Sequence, residues 1–340
     1  MLNLLRNKVM YFVVALLAVS FAVIGCADDG ASDGTPDVAK PTIVFSDLNW
    51  TSAQVQNRIA QFIVENGYEY ATDAILGGTL PNFQGLLKGD IHVDMEVWLP
   101  NQKETWEPAV ANGQVVPIGM SLGKDWQSSF VIPGYLAEAN PGLKSVEDLK
   151  KDEYKDLFVT ADSRGKARLV SCVVGWSCET VNQAQIEAYG LNDHVEVINP
   201  GSQDAMFADL NGAYEKKEPW LGYMWGTGDP GLLLDLVKLE EPAYSDQCWA
   251  TTKACGYQDA TILIAVHPSL TTSAPDVVEF LRNWGFNIDL YKKVAQYTAD
   301  NPGIETKDAA IWFLNNYESE WSTWVPADVA EKVSKALVDG

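Results

Sequence analysis

Residues 42–75 run strand, helix, strand, and that order constrains the fold more than any other feature of the chain. TIVFSDL (42–48) has the make-up of a buried strand. Ser52 to Asn66 then places Val55, Ile59, Phe62 and Ile63 on one helical stripe, with Gly67 standing where a C-cap would fall. YEYATDAI follows as a second strand. A strand that returns through a helix comes back parallel, so the pattern predicts an α/β protein with a parallel sheet. It recurs downstream. LPNFQGLLKG reads as a short helix, IHVDMEVW as a strand, VEVIN as a strand, SQDAMFADLNGAYEK as a helix starting at Ser202, and PWLGYMW and ATILIAV as two more strands. From Pro275 onward the chain is mostly helical, and no internal repeat is visible.

The amino terminus reads as an address rather than as structure. Arg6 and Lys8 precede an uncharged run of 17 residues, Val9 to Gly25, in the layout of a secretory signal peptide. The run is marginal for a membrane span, which takes about 20 apolar residues. Val23-Ile24-Gly25-Cys26 resembles a bacterial lipobox, which implies cleavage after residue 25 and a lipidated Cys26. A retained membrane anchor is the alternative. Residues 26–41 have the Gly/Asp/Ser/Pro composition of a flexible tether. The protein is therefore expected outside the cytoplasm, held to a membrane through Cys26.

That placement bears on Cys172, Cys178, Cys248 and Cys255. An even number of cysteines in an oxidising compartment points to disulfides, with three pairings open, of which 172–178 with 248–255 is the simplest. Zinc fits poorly: ligand pairs are usually separated by two to four residues, whereas five and six intervene here, and His92, His194 and His267 stand apart. No metal and no cofactor are expected. The formal charge is −22, and loss of the leader takes two basic residues with it, leaving −24. Such a charge argues against nucleic acid and anionic membrane surfaces as partners.

Two literal motif matches carry little chemistry. Gly226-Thr-Gly-Asp-Pro-Gly231 fits G-x-G-x-x-G, but Pro230 interrupts it and an exported protein does not meet nicotinamide cofactors, so it reads as a turn. Gly175-Trp-Ser-Cys-Glu179 approaches the nucleophile elbow, yet Glu179 replaces the second glycine and no histidine is placed by sequence to serve Ser177. The tryptophans are more informative. Trp50, Trp98 and Trp225 each fall at the end of an expected strand, where open α/β sheets bind ligands, and Trp176 lies between two cysteines. Trp106, Trp220, Trp284, Trp312, Trp321 and Trp324 read as core or surface residues.

The sequence resembles the substrate-binding proteins of ABC importers for glycine betaine, proline betaine and choline. The likeness is densest in SDLNWTS (46–52), GDIHVDMEVWLPN (89–101), LVSCVVGWSCE (169–179) and AMFADLNGAYEKKEPWLGYMWG (205–226). It implies a two-lobed type II periplasmic-binding-protein fold, with the ligand cleft between lobes. Trp98, Trp176 and Trp225 fall on the aromatic positions that surround a quaternary ammonium, and Trp50 on a fourth used in the choline-binding branch. The backbone N–H groups of Ser177 and Cys178 fall where the betaine branch holds a carboxylate. Three departures stand out: Gln102 replaces a carboxylate-binding histidine, Ser52 an acidic residue of the choline branch, and Gly226-Thr-Gly follows Trp225 without the usual proline.

The expectation is a non-enzymatic, monomeric binding protein that captures glycine betaine or a related osmolyte and delivers it to an ABC permease. Lobe I would span 42–137 plus 258–340 and lobe II 138–257. Choline, carnitine or a sulfonium compound is the alternative ligand. Beyond transport stand a secreted tryptophan-lined hydrolase of carbohydrates, which would need two facing carboxylates in the cleft, and a sensor that binds the same ligand.

Overall fold

The computed structural model describes residues 40–126 and 128–339. The leader, Cys26 and nearly all of the tether lie outside them. Ten strands form two sheets: β1 (Ile43–Leu48), β2 (Thr72–Gly77), β3 (Val93–Leu99), β4 (Val116–Trp126), β5 (Ser129–Pro133), β6 (Ala167–Val170), β7 (Val195–Ile198), β8 (Gly222–Met224), β9 (Leu236–Lys238) and β10 (Ala260–Val266). The first sheet has the order β2-β1-β3-β10-β4 and the second β7-β6-β8-β5-β9.

Each sheet is mixed rather than parallel. Strands β2, β1 and β3 are mutually parallel, as are β7, β6 and β8, but β10 runs antiparallel to β3 and β4, and β5 antiparallel to β8 and β9. The strands that break the pattern come from the other end of the chain or directly from the other sheet. β5 follows β4 into the second sheet, and β10 returns to the first. A strand entering from elsewhere need not obey the right-handed crossover that makes β-α-β units parallel.

Residues 129–133, expected with the first lobe, therefore belong to the second sheet. SFVIP is buried throughout, and a short apolar run of this kind carries no signal of which sheet it joins. The return passage lies between Lys238 and Ala260. The helices Thr306–Asn316 and Ala327–Asp339 pack on the helix Thr51–Gly67, so the helical tail covers the first sheet.

Gly67 does not cap that helix; it is the last helical residue, and Tyr68 stands at the cap. A Cβ at Gly67 would lie 2.6 Å from Val329 Cγ1, so the glycine permits close approach of the C-terminal helix. Ser202 does cap the helix Gln203–Lys216, its hydroxyl accepting from Ala205 N–H at 3.2 Å. No helix among the described residues is long and apolar enough to cross a membrane.

Candidate functional site

The parallel strands set the site. In each sheet the strand order reverses direction about a central parallel strand, β1 in the first and β6 in the second. Side chains just beyond the carboxyl ends at such switch points can converge on one crevice. Trp50 follows β1, Trp98 lies at the end of β3, Trp176 follows β6 after a short loop, and Trp225 follows β8 directly. All four line a single pocket together with Thr79, Asn101, Ser177, Cys178 and Tyr223. Trp50 meets Trp176 edge to face with centroids 5.2 Å apart, and Trp176 meets Trp225 in the same way at 5.2 Å. Phe207 and Tyr223 back the ring of Trp225.

Hydrogen bonds fix three of the four rings. Trp50 Nε1–H and Trp98 Nε1–H both donate to Glu96 Oε2, at 2.7 and 3.0 Å. Trp176 Nε1–H donates to Asn49 Oδ1 at 2.7 Å, joining the segment after β6 to the segment after β1. With these N–H groups engaged by protein acceptors, the rings offer the cavity carbon edges and π faces. Such surfaces suit a cation whose charge lies behind methyl groups.

The Cys172–Cys178 disulfide closes the loop that carries Trp176, and Cys248 is joined to Cys255. Gly175 adopts φ +87°, a left-handed turn that a side chain would strain, and its N–H donates to Glu179 Oε2 at 2.8 Å. The chain then enters the helix Ser177–Ala188, with Trp176 at its N-cap providing no side-chain cap. The first N–H groups of a helix have no acceptor within it and carry the positive end of its dipole. Ser177 and Cys178, both lining the pocket, stand at that end of the helix.

Gln102 is placed differently from the other candidates. It is buried but is not among the lining residues, and its Oε1 has no hydrogen-bond partner among the described residues. The preceding residue, Asn101, lines the pocket instead, in the turn after the cis Leu99–Pro100 bond. Thr79, Asn101 and Tyr223 were not legible as site residues, because each owes its place to a neighbouring strand end. Glu96 was missed despite a signal. Asp94, Glu96 and Trp98 alternate along a buried strand and so share a face, and two acids on one face of such a strand call for partners. Burial pushes Glu96 up to about 7 and Asp94 up to about 6.

No Asp, Glu or His side chain is among the pocket's lining residues. His92 and His267 lie together at the opposite end of the first sheet, where His267 N–H donates to the backbone oxygen of His92. His194 precedes β7. Gly226–Gly228 forms a turn leading into the short helix Asp229–Leu233.

A two-sheet α/β architecture with a tryptophan-walled pocket at its strand ends defines a protein built to enclose a small ligand. The OpuAC family, the substrate-binding domain of ABC-type glycine betaine transport systems, matches residues 41–316, and the chain belongs to it. It is 25% identical over 330 residues to the trimethylamine N-oxide-binding protein of Pelagibacter ubique, covering 93% of this chain and 98% of that one. It is 28% identical over 147 residues to the glycine betaine/proline betaine-binding periplasmic protein of Escherichia coli, 42% of each chain. Among solved structures it resembles an ABC-transporter choline-binding protein in complex with choline, with a TM-score of 0.69 and 21% identity over 87% of this chain and 98% of that one. Lactococcal OpuAC in its closed, glycine betaine-bound form gives 0.65 and 16% over 84% and 99%. These structural likenesses establish the two-lobed type II periplasmic-binding-protein fold.

Proposed function

We propose that the protein captures glycine betaine, or a similarly small trimethylated zwitterion, and hands it to an ABC permease. The observation that carries this reading is the convergence of Trp50, Trp98, Trp176 and Trp225 on one pocket whose remaining wall is a helix N-terminus. Each aromatic face is worth roughly 0.5–2 kcal/mol to a desolvated cation. Four faces thus supply roughly 2–8 kcal/mol, against about 8 kcal/mol for a micromolar site. The balance would come from Ser177 and Cys178 N–H groups on the ligand's anionic oxygen, with Thr79 and Asn101 beside them. Choline, a net cation, would leave those N–H groups without an anion, which favours a zwitterion. Trimethylamine N-oxide, the ligand named for the Pelagibacter relative, meets the same requirement and is the second candidate.

The strand order of the two sheets supports lobes of 42–126 with 260–339, and of 129–238. Contacts join these two parts beside the pocket: Asn49 meets Trp176, and Thr51 N–H donates to Gln203 Oε1 at 3.1 Å. Lys103 and Glu104 pair with Asp246 and Lys253, on the return passage between β9 and β10, at 3.3 and 3.1 Å. Such contacts suit a cleft that shuts on its ligand. A lipid anchor on Cys26 and a monomeric state complete the proposal. Membership of a family of transport substrate-binding domains supports a non-catalytic role.

Titration calorimetry with glycine betaine, trimethylamine N-oxide, dimethylglycine, glycine and choline tests the ligand class. Affinity is expected to fall from trimethylated to unmethylated glycine, because each lost methyl exposes an N–H that rings cannot satisfy. Glycine binding as tightly as glycine betaine would end the cage reading.

A further inference from the structure

Glu96 is fully buried in β3, one layer behind the pocket. Its Oε2 accepts from the indoles of Trp50 and Trp98, and its Oε1 accepts from Gln56 Nε2–H at 2.7 Å. Gln56 is held in turn, its Oε1 accepting from Ser121 Oγ–H at 2.8 Å and Trp284 Nε1–H at 3.0 Å. Every one of these donors is neutral. Among the described residues no Lys, Arg or His forms an ion pair with Glu96. A buried carboxylate normally requires a positive partner. Here the protein supplies hydrogen bonds but no opposite charge, and the two indoles that grip the carboxylate are walls of a pocket shaped for a cation.

We propose that Glu96 is the counter-charge of the site, acting through the rings of Trp50 and Trp98 rather than by touching the ligand. The inference rests on the pocket being a quaternary-ammonium site. One carboxylate orients two indoles from different strand ends, and its negative charge increases the electron density their faces present. It also attracts the headgroup across a medium of low polarity, where charges are weakly screened. Glu96 is thus a positioning residue that selects for a permanent cation, since a headgroup able to shed its proton could instead neutralise the carboxylate.

The neighbouring titratable groups are few. Asp94 is on the same strand, its Oδ1 accepting the Glu96 backbone N–H at 3.0 Å. Tyr291, on the helix Ile288–Asp300, donates its hydroxyl proton to Asp229 at 2.5 Å. The helix Thr51–Gly67 and the segment bearing Trp284 meet Glu96 and Gln56 with neutral side chains. Protonating Glu96 should therefore weaken the cage without rearranging an ion pair.

The test is calorimetric binding of glycine betaine to the full-length protein and to Glu96→Gln at about pH 8 and about pH 5.5, paired with NMR of the indole N–H resonances. Affinity of the unaltered protein should fall roughly tenfold on acidification, and Glu96→Gln should bind roughly tenfold more weakly at the higher pH with little further change. The Trp50 and Trp98 indole resonances should move together with pH in the unaltered protein and stay put in the variant. A purely structural role would let both resonances titrate together while leaving the affinity unchanged with pH. Binding by Glu96→Gln within about twofold of the unaltered protein at both pH values would overturn the proposal. So would Trp50 and Trp98 resonances that do not titrate, a measurement that stands even if the variant fails to fold. If the unaltered protein binds none of glycine betaine, trimethylamine N-oxide and choline, the quaternary-ammonium reading itself fails and takes this inference with it.

Discussion

At the scale of single residues, two tryptophans of similar burial do different work. Trp98 lines the pocket, whereas Trp106 packs on Phe83 with centroids 6.2 Å apart in a separate apolar cluster under the first sheet. Trp98→Ala should weaken glycine betaine binding by roughly 1–3 kcal/mol, from one lost cation–π face and the void left behind. Trp106→Ala should lower stability by about 3–5 kcal/mol and leave the affinity of the folded fraction unchanged. Denaturant unfolding and calorimetry on both variants separate the two effects. An affinity loss for Trp106→Ala equal to that for Trp98→Ala would show that the pocket has no privileged tryptophans. Sequence could rank these residues only by their neighbours in the chain, because burial looks the same for a core ring and a cage ring.

The element that most repays attention is the loop from β6 into the helix Ser177–Ala188. Its disulfide spans six positions, and closing a ring of that size is worth roughly 2–2.5 kcal/mol by chain entropy. Within the ring lie Gly175 in its left-handed turn and Trp176 at the helix N-cap. The double variant Cys172→Ser, Cys178→Ser should lose about 2 kcal/mol of stability. It should also lose affinity through slower association, since the free loop must order Trp176 and the helix N–H groups on binding. Stopped-flow tryptophan fluorescence reads that rate. An association rate equal to that of the intact protein would mean that the ring stabilises the fold without preparing the site.

For the whole molecule, acidity should act in opposite directions on stability and on binding. Burial pushes Asp94 and Asp229 up to about 6, and Glu96 and Glu241 up to about 7, from ordinary values of 3.8 and 4.5. Between those limits the folded state holds protons that the unfolded chain has released, so stability falls as pH rises through the window. Relief of repulsion in a chain of charge −22 adds to stability on the acid side. His92 opposes the trend, because burial lowers its affinity for a proton. The carboxyl of Asp148, held far below the usual range by Lys151 and the backbone N–H groups of Lys144 and Ser145 against the pull of burial, titrates outside the window. The melting temperature should therefore be higher at about pH 5.5 than at about pH 8 by a few degrees, by scanning calorimetry. A melting temperature that drops over this acidification would place the net effect on His92 or on groups not yet assigned.

The chain's local patterns determined a good deal. The helical stripe after TIVFSDL, the Ser202 cap, the strand ATILIAV and the tryptophans at strand ends are written in spacing that short-range geometry enforces. Family membership follows from the same segments. Tertiary structure decided what spacing cannot encode. It sent β5 to the second sheet, turned Gly67 from a cap into a contact for Val329, and put Asn101 rather than Gln102 on the pocket wall. It also assembled Glu96, Trp50, Trp98 and Gln56 into one hydrogen-bonded unit. The periodicity of a helix or strand fixes which residues share a face. Which faces meet is set by packing between segments far apart in sequence, and there a one-residue difference decides whether a side chain lines the cavity or is buried away from it.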